Sequence, residues 1–111
     1  MAVIKELYGP AALTSTYTTN IYVPASALIY DVVHHIHVAN KTAGAVTFRL
    51  FQGATGGNAA GTEIFYDKSV AGYDTYDYYC RMKLTSTTFL VGGASAATSL
   101  SILIEGESIV V

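Results

Sequence analysis

Apolar residues at every second position mark the stretch from Ile21 to Phe51, and this alternation constrains the fold more than any other feature of the chain. Before the polar turn at 40–44, the residues of one parity are Leu28, Tyr30, Val32, Ile36 and Val38. After it, they are Val46, Phe48 and Leu50. A period of two is typical of a β-strand that buries one face. The pattern therefore predicts two long strands joined by this turn.

The rest of the chain is also rich in β-branched and aromatic residues, in short runs separated by Gly, Ala, Asn and Ser. Turns are expected at several Gly- or Pro-containing places, Gly9-Pro10 among them. Strands are expected near 2–8, 13–23, 28–39, 45–52, 62–69, 74–83, 87–92 and 99–105, with a short tail at 107–111. Such spacing predicts one all-β domain over residues 1–111, a jelly-roll-like β-sandwich of about eight antiparallel strands.

Charged residues make up only 13% of the chain, against roughly 25% in ordinary soluble domains. The surface of so small a protein must then consist of Ser, Thr, Gly, Ala, Tyr and some apolar side chains, which favours association. We expect a homo-oligomer or part of a larger assembly, with a neutral monomer as the alternative. Residues 1–8 and 107–111 are possible assembly arms, and the interface residues expected there are Val3, Ile4, Leu7, Ile109, Val110 and Val111.

Charge and cysteine content exclude several classes of function. Six basic residues are spread thinly and the formal net charge is −2, so no nucleic-acid partner is expected. No window approaches the roughly 18 to 20 apolar residues of a membrane span, so no membrane partner is expected either. Cys80 is the only cysteine, and no intrachain disulfide can form.

The three histidines lie inside one predicted strand, where His35 and His37 share a face with Asp31. Two imidazoles at this spacing can reach one Zn²⁺ or Fe²⁺, and a His-x-His pair on a strand also begins the cupin metal motif. That motif continues with a Glu about four residues on and a later His. Neither follows here, so no metal or cofactor is predicted. We expect these histidines to line an interface or to stack among tyrosines; at a contact between subunits they would make assembly sensitive to pH near 6.

Five tyrosines crowd one stretch of the chain, and their spacing assigns them to two faces of a strand. Tyr76 and Tyr78 share one face with Cys80, whereas Tyr79 points the other way. Core or interface packing is favoured over stacking on a carbohydrate, since Tyr serves all three. Cys80 has the pattern of a small buried hydrophobe and has no base placed beside it. No catalytic residues are predicted.

Several segments resemble small virion proteins of tailed bacteriophages, and together they cover most of residues 14–106. They are Ile21-Tyr22-Val23-Pro24-Ala25, Ile29 to Asn40, Ala45-Val46-Thr47-Phe48-Arg49-Leu50, Phe89 to Ser95 and Leu100 to Gly106. The resemblance implies a non-enzymatic structural protein of the virion, assembled in the host cytoplasm. Its implied role is capsid decoration or cement, and its implied partners are the major capsid protein or other virion proteins, with a homotrimer favoured.

Three other assignments remain open, one within this class and two outside it. A neck, tail or baseplate component is nearly as well supported as a decoration protein. A receptor- or glycan-binding module would use Tyr76 and Tyr78. A cupin-like metalloenzyme that uses His35 and His37 is the most distant alternative.

Overall fold

The computed structural model describes residues 4–57 and 59–110, which form eight strands and no helix. This confirms the all-β class that the alternation predicts. The strands are β1 (Lys5–Ala12), β2 (Asn20–Tyr22), β3 (Ile29–Asn40), β4 (Val46–Gly53), β5 (Glu63–Val70), β6 (Thr75–Leu84), β7 (Phe89–Ala94) and β8 (Leu100–Val110).

The strands form two antiparallel sheets of four. Sheet A has the order β1-β8-β3-β6 and sheet B the order β2-β7-β4-β5. The chain therefore pairs its first strand with its last, its second with its seventh, and so on inward. This nested pairing is that of one long hairpin wrapped into two layers, the jelly-roll arrangement that the sequence predicts.

The core lies between the sheets and is made by the alternating residues of the inner faces. In β4, Val46, Phe48 and Leu50 are buried as predicted, and Phe48 and Leu50 have no exposed surface. In β8 the corresponding residues are Leu100, Ile102 and Ile104. Burying one large aliphatic side chain stabilises a fold by about 1.5–3 kcal/mol, so this interior is the main source of stability.

A β-bulge in β3 changes which residues of that strand face the core, so the predicted faces are wrong for its first part. The register shifts between Val33 and His35 against both neighbouring strands: His34 is an extra residue relative to β8, whereas β6 carries the extra residue relative to β3. Even-numbered residues face the core after the bulge, but odd-numbered residues face it before the bulge. Leu28, Tyr30 and Val32 therefore do not share the buried face, and Leu28 is 65% exposed. Asp31, expected beside His35 and His37, is instead fully buried on the inner face.

Two predicted boundaries near the start of the chain are also wrong. Gly9-Pro10 is not a turn but lies within β1, where the register against β8 shifts twice. An added Cβ at Gly9 would meet the carbonyl oxygen of Ile102, which explains a glycine at this irregular place. The predicted strand 13–23 shrinks to β2, because hydroxyl groups such as those of Thr14 and Thr19 hydrogen-bond each other and nearby backbone instead.

The predicted tail is part of a long interior strand. β8 continues to Val110, and its last residues pair with the start of β3, Ile29 opposite Val110. The tail thus pairs within its own chain beside a central strand. Val3 and Val111, predicted to lie at an interface, fall outside the described residues.

Candidate functional site

Three neighbouring strands of sheet A bring ionisable side chains together on its outer face. β3 lies between β6 and β8, and directly opposite residues of antiparallel strands project to the same side, with Cβ atoms about 5 Å apart. The bulge at His34 turns the two following odd-numbered residues outward. The register pairs are His35 with Tyr79 and Glu105, and His37 with Asp77.

His35 lies between two carboxylates. Its Nδ1 is 2.7 Å from Oε1 of Glu105, and its Nε2 is 2.7 Å from Oδ1 of Asp77. The same oxygen of Asp77 is 2.6 Å from Nδ1 of His37. An ionised carboxylate only accepts hydrogen bonds, so both ring nitrogens of His35 donate and the ring is an imidazolium. We refer to Glu105, His35, Asp77 and His37, in this order, as the histidine–carboxylate chain.

The charged members of this chain stabilise one another. Burial of the imidazole lowers the pKa of His35, but the hydrogen bonds to Glu105 and Asp77 and the charges of both outweigh it, so this pKa is raised. The pKa of Asp77 is lowered, chiefly because its carboxylate accepts hydrogen bonds from His37 and His35. Opposite charges in contact favour the charged form of each partner.

Tyr79 holds the ring of His35 in place. The two rings are stacked, with centroids 4.5 Å apart and planes 8° from parallel. The side chain of His35 is 16% exposed, whereas that of Asp77 is 38% exposed. The imidazole of His35 is therefore covered by Tyr79, whereas the carboxylate of Asp77 is open to solvent.

The third histidine stands apart from this chain. His34 is the bulged residue, and its Nε2 is 3.6 Å from Oε1 of Glu107. That nitrogen is buried and makes no hydrogen bond within the described residues. His34 thus offers a natural control for the histidines beside it.

The tyrosines divide between the interior and the surface as their spacing predicts. Tyr76 and Tyr78 are half-buried and pack on the core, where each meets the ring of Phe65 edge to face, with centroids 5.6 and 4.8 Å apart. Tyr66 and Tyr73 are exposed. A role of Tyr76 and Tyr78 at an interface stays a prediction.

Exposed apolar side chains gather at one end of the sandwich. β1 begins beside Gly106, and β8 ends beside Ile29, so both described chain ends lie at this end of sheet A. Leu7 and Ile109 are half-buried there. We call the set of exposed residues the apolar end; it comprises Ile4, Val23, Leu28 and Val110, which are 58%, 38%, 65% and 75% exposed.

An open groove of about 670 Å³ runs along the edges of β5 and β6. Tyr78, Glu63 and Arg81 are among its lining residues, and so is Cys80. The thiol of Cys80 contacts the carbonyl oxygen of Val33 at 3.5 Å, and burial raises its pKa. Cys80 is therefore held as a thiol rather than as a nucleophilic thiolate.

Asp77 and Glu105 are the residues of this site that sequence reasoning missed. They lie 42 and 70 residues from His35 along the chain. Asp77 has the strand parity of Tyr79, which marks it as outward-facing. No local pattern, however, indicates that its strand lies next to β3.

Comparison with protein-family models, curated proteins and solved structures finds no match to this chain. Within residues 4–57 and 59–110, no helix has the length and apolar character needed to cross a bilayer.

Proposed function

We propose that this protein is a non-enzymatic structural protein of a bacteriophage virion, a decoration or cement protein that binds and stabilises the head. The segments that resemble phage virion proteins cover the end of β2 with the start of its link to β3, the whole of β3 and β7, and parts of β4 and β8. Jelly-roll sandwiches form viral capsid domains and lectins alike, so the fold is compatible with the proposal without carrying it.

The observation that carries the proposal is the apolar end. Ile4, Leu28 and Val110 expose most of their side chains toward the end of sheet A at which Ile29 pairs with Val110 and both described chain ends lie. Contiguous apolar surface on a small protein marks a contact with another protein. Residues 5–8 and 107–110 belong to strands paired within sheet A, so the predicted arms 1–8 and 107–111 would contact a neighbour through the exposed side chains of these strands.

The proposed occupant of this surface is a neighbouring subunit of the shell. A cement protein binds the assembled coat and not the free coat subunit, and it stabilises the shell by that difference in affinity. A homotrimer that presents several of these ends would bridge neighbouring coat subunits.

The test uses the purified full-length protein and phage heads assembled without it. Mass photometry of the protein alone should show a defined oligomer, and heads mixed with it should reach saturating occupancy. We expect Val110→Asp to lower occupancy at least tenfold. A monomer that ignores the heads would overturn the proposal.

The matched control is Tyr73→Asp. Tyr73 is 75% exposed, the same fraction as Val110, and lies in the turn before β6, beyond the other end of β3. The length of β3 separates the two positions by roughly 36 Å. Tyr73→Asp introduces the same charge and should leave occupancy unchanged. Equal losses in both variants would show that added charge, rather than the apolar end, determines binding.

A neck, tail or baseplate position is the alternative within the same class. An oligomer that binds no heads but joins purified tails or necks would support it.

The groove beside β5 and β6 favours glycan binding as a second candidate function. Aromatic and polar side chains line it together, as in sites that stack sugar rings and bond their hydroxyl groups. Tyr78→Ala should then abolish a signal on a glycan array while leaving the oligomer intact. An array without any signal for the wild-type protein would exclude this candidate.

A further inference from the structure

The histidine–carboxylate chain contains the donor set of a transition-metal site. One ligand atom each from His35, His37 and Asp77 lies within 4.8 Å of the other two. Ligands of tetrahedral zinc, bound at 2.0–2.2 Å, are roughly 3.4 Å apart. Because His37 and Asp77 are partly exposed, small side-chain rotations can bring the three atoms to this spacing.

The hydrogen bond of Glu105 is a second, independent observation that points to a metal. A histidine ligand usually donates its other ring N–H to a carboxylate, which orients the ring and strengthens the ligand. Glu105 accepts from Nδ1 of His35 at 2.7 Å, which leaves Nε2 directed at Asp77. The stacked ring of Tyr79 fixes the same orientation. His35 is therefore held as a preorganised ligand.

We propose that His35 Nε2, His37 Nδ1 and the carboxylate of Asp77 bind one Zn²⁺ ion on the outer face of sheet A, with Glu105 as the positioning residue of His35. On binding, the ion takes the place of the protons on these two nitrogens, and the protons pass to solvent. Water completes the coordination, since this side of the face is open.

The ligand set selects the class of metal. Two imidazole nitrogens and one carboxylate oxygen suit Zn²⁺ and its neighbours Ni²⁺ and Cu²⁺, whereas Mg²⁺ and Ca²⁺ prefer oxygen ligands alone. This inference does not depend on the virion role. It differs from the cupin pattern, because the one ligand beyond the histidine pair is an aspartate from β6 instead of a nearby Glu and a later His.

The experiment is calorimetric titration of the untagged, chelator-treated full-length protein with zinc chloride. We expect one Zn²⁺ per chain and a melting temperature that rises with zinc concentration. His37→Ala and Asp77→Asn should abolish both effects. Glu105→Gln should weaken binding by about 10- to 100-fold, the usual effect of removing a partner of a histidine ligand.

The matched control is His34→Gln, which removes the neighbouring histidine outside the donor set. Its zinc affinity should stay within about threefold of the wild type. Melting in EDTA shows whether each variant is folded, and Co²⁺ substitution reports on the ligands, because its visible spectrum depends on their number. Absence of saturable binding to the wild type, or binding that survives in folded His37→Ala and Asp77→Asn, would overturn the site. Equal loss in folded His34→Gln would overturn it too.

Discussion

Strand β3 carries a buried aspartate on one side of its bulge and the histidine–carboxylate chain on the other. Asp31 accepts hydrogen bonds from the hydroxyl groups of Tyr22 and Ser108, at 2.5 and 2.6 Å, and has no exposed surface. Asp77 likewise accepts two hydrogen bonds, but from imidazoles, and its side chain is 38% exposed. Burial and hydroxyl donors make Asp31 a structural carboxylate, whereas exposure and imidazole donors allow Asp77 to exchange its hydrogen-bond partners.

The hydroxyl group of Tyr22 that donates to the buried Asp31 does not lose its proton easily. Burial, the hydrogen bond to Asp31 and the nearby charge of Asp31 all raise the pKa of Tyr22 well above its ordinary range. Tyr22 therefore remains a hydrogen-bond donor at every physiological pH. The donors to Asp77 are imidazoles, whose ring nitrogens can lose a proton to solvent when a metal ion binds in its place.

The largest expected effect is that of removing the inner carboxylate. Asp31→Ala leaves two hydroxyl groups without their partner in a dry interior, and hydrogen bonds to charged groups contribute about 1.5–3 kcal/mol each. We expect the free energy of unfolding to fall by about 3 kcal/mol or more, measured by urea denaturation. Asp77→Ala in EDTA is the control and should change it little. Similar losses in the two variants would contradict the distinction between the two sides.

A smaller effect is expected at the residue that accommodates the bulge. Gly106 lies opposite Val33, and an added Cβ would be 2.1 Å from the carbonyl oxygen of Val32. Gly106→Ala must therefore displace backbone beside the bulge, at a cost of about 2 kcal/mol. Gly44→Ala is the control, because a Cβ there meets nothing within 4 Å. If Gly106→Ala proves as stable as Gly44→Ala, the bulge is not held by this close approach.

The buried Asp31 and the histidine–carboxylate chain also differ in how well the sequence predicts their positions. Alternation predicts strands, the jelly-roll class and the shared face of His35 and His37, because a period of two is a local property. The bulge is not predictable from this pattern, since nothing in the local sequence distinguishes His34 from the residues beside it. The alternation therefore assigns Asp31 to the wrong face. Asp77 comes from a strand whose position beside β3 depends on how the whole chain wraps.

The smallest effect expected is a pH dependence of stability that comes from the histidine–carboxylate chain. The pKa of Asp77 is lowered in the folded protein, so its contribution to stability is present above the ordinary carboxyl value of 3.8 and is lost as pH falls through the folded value. The pKa of His35 is raised, so its contribution is present below the ordinary imidazole value of 6.5 and is lost as pH rises through the folded value. Both contributions to stability are therefore present between pH 3.8 and pH 6.5.

The stability difference between wild type and Asp77→Asn, measured in EDTA from pH 3 to 9, should therefore reach its maximum between about pH 4 and 6.5. Other titratable or charged groups on this face are retained in the variant and largely cancel; they include Glu105, Glu107, His34, His37, Arg81 and Lys83. Tyr79→Phe keeps all of them and should give a flat difference over the same range. A difference for Asp77→Asn that is equally flat would mean that the imidazoles do not sense this carboxylate, and the outer side would then resemble ordinary solvated surface.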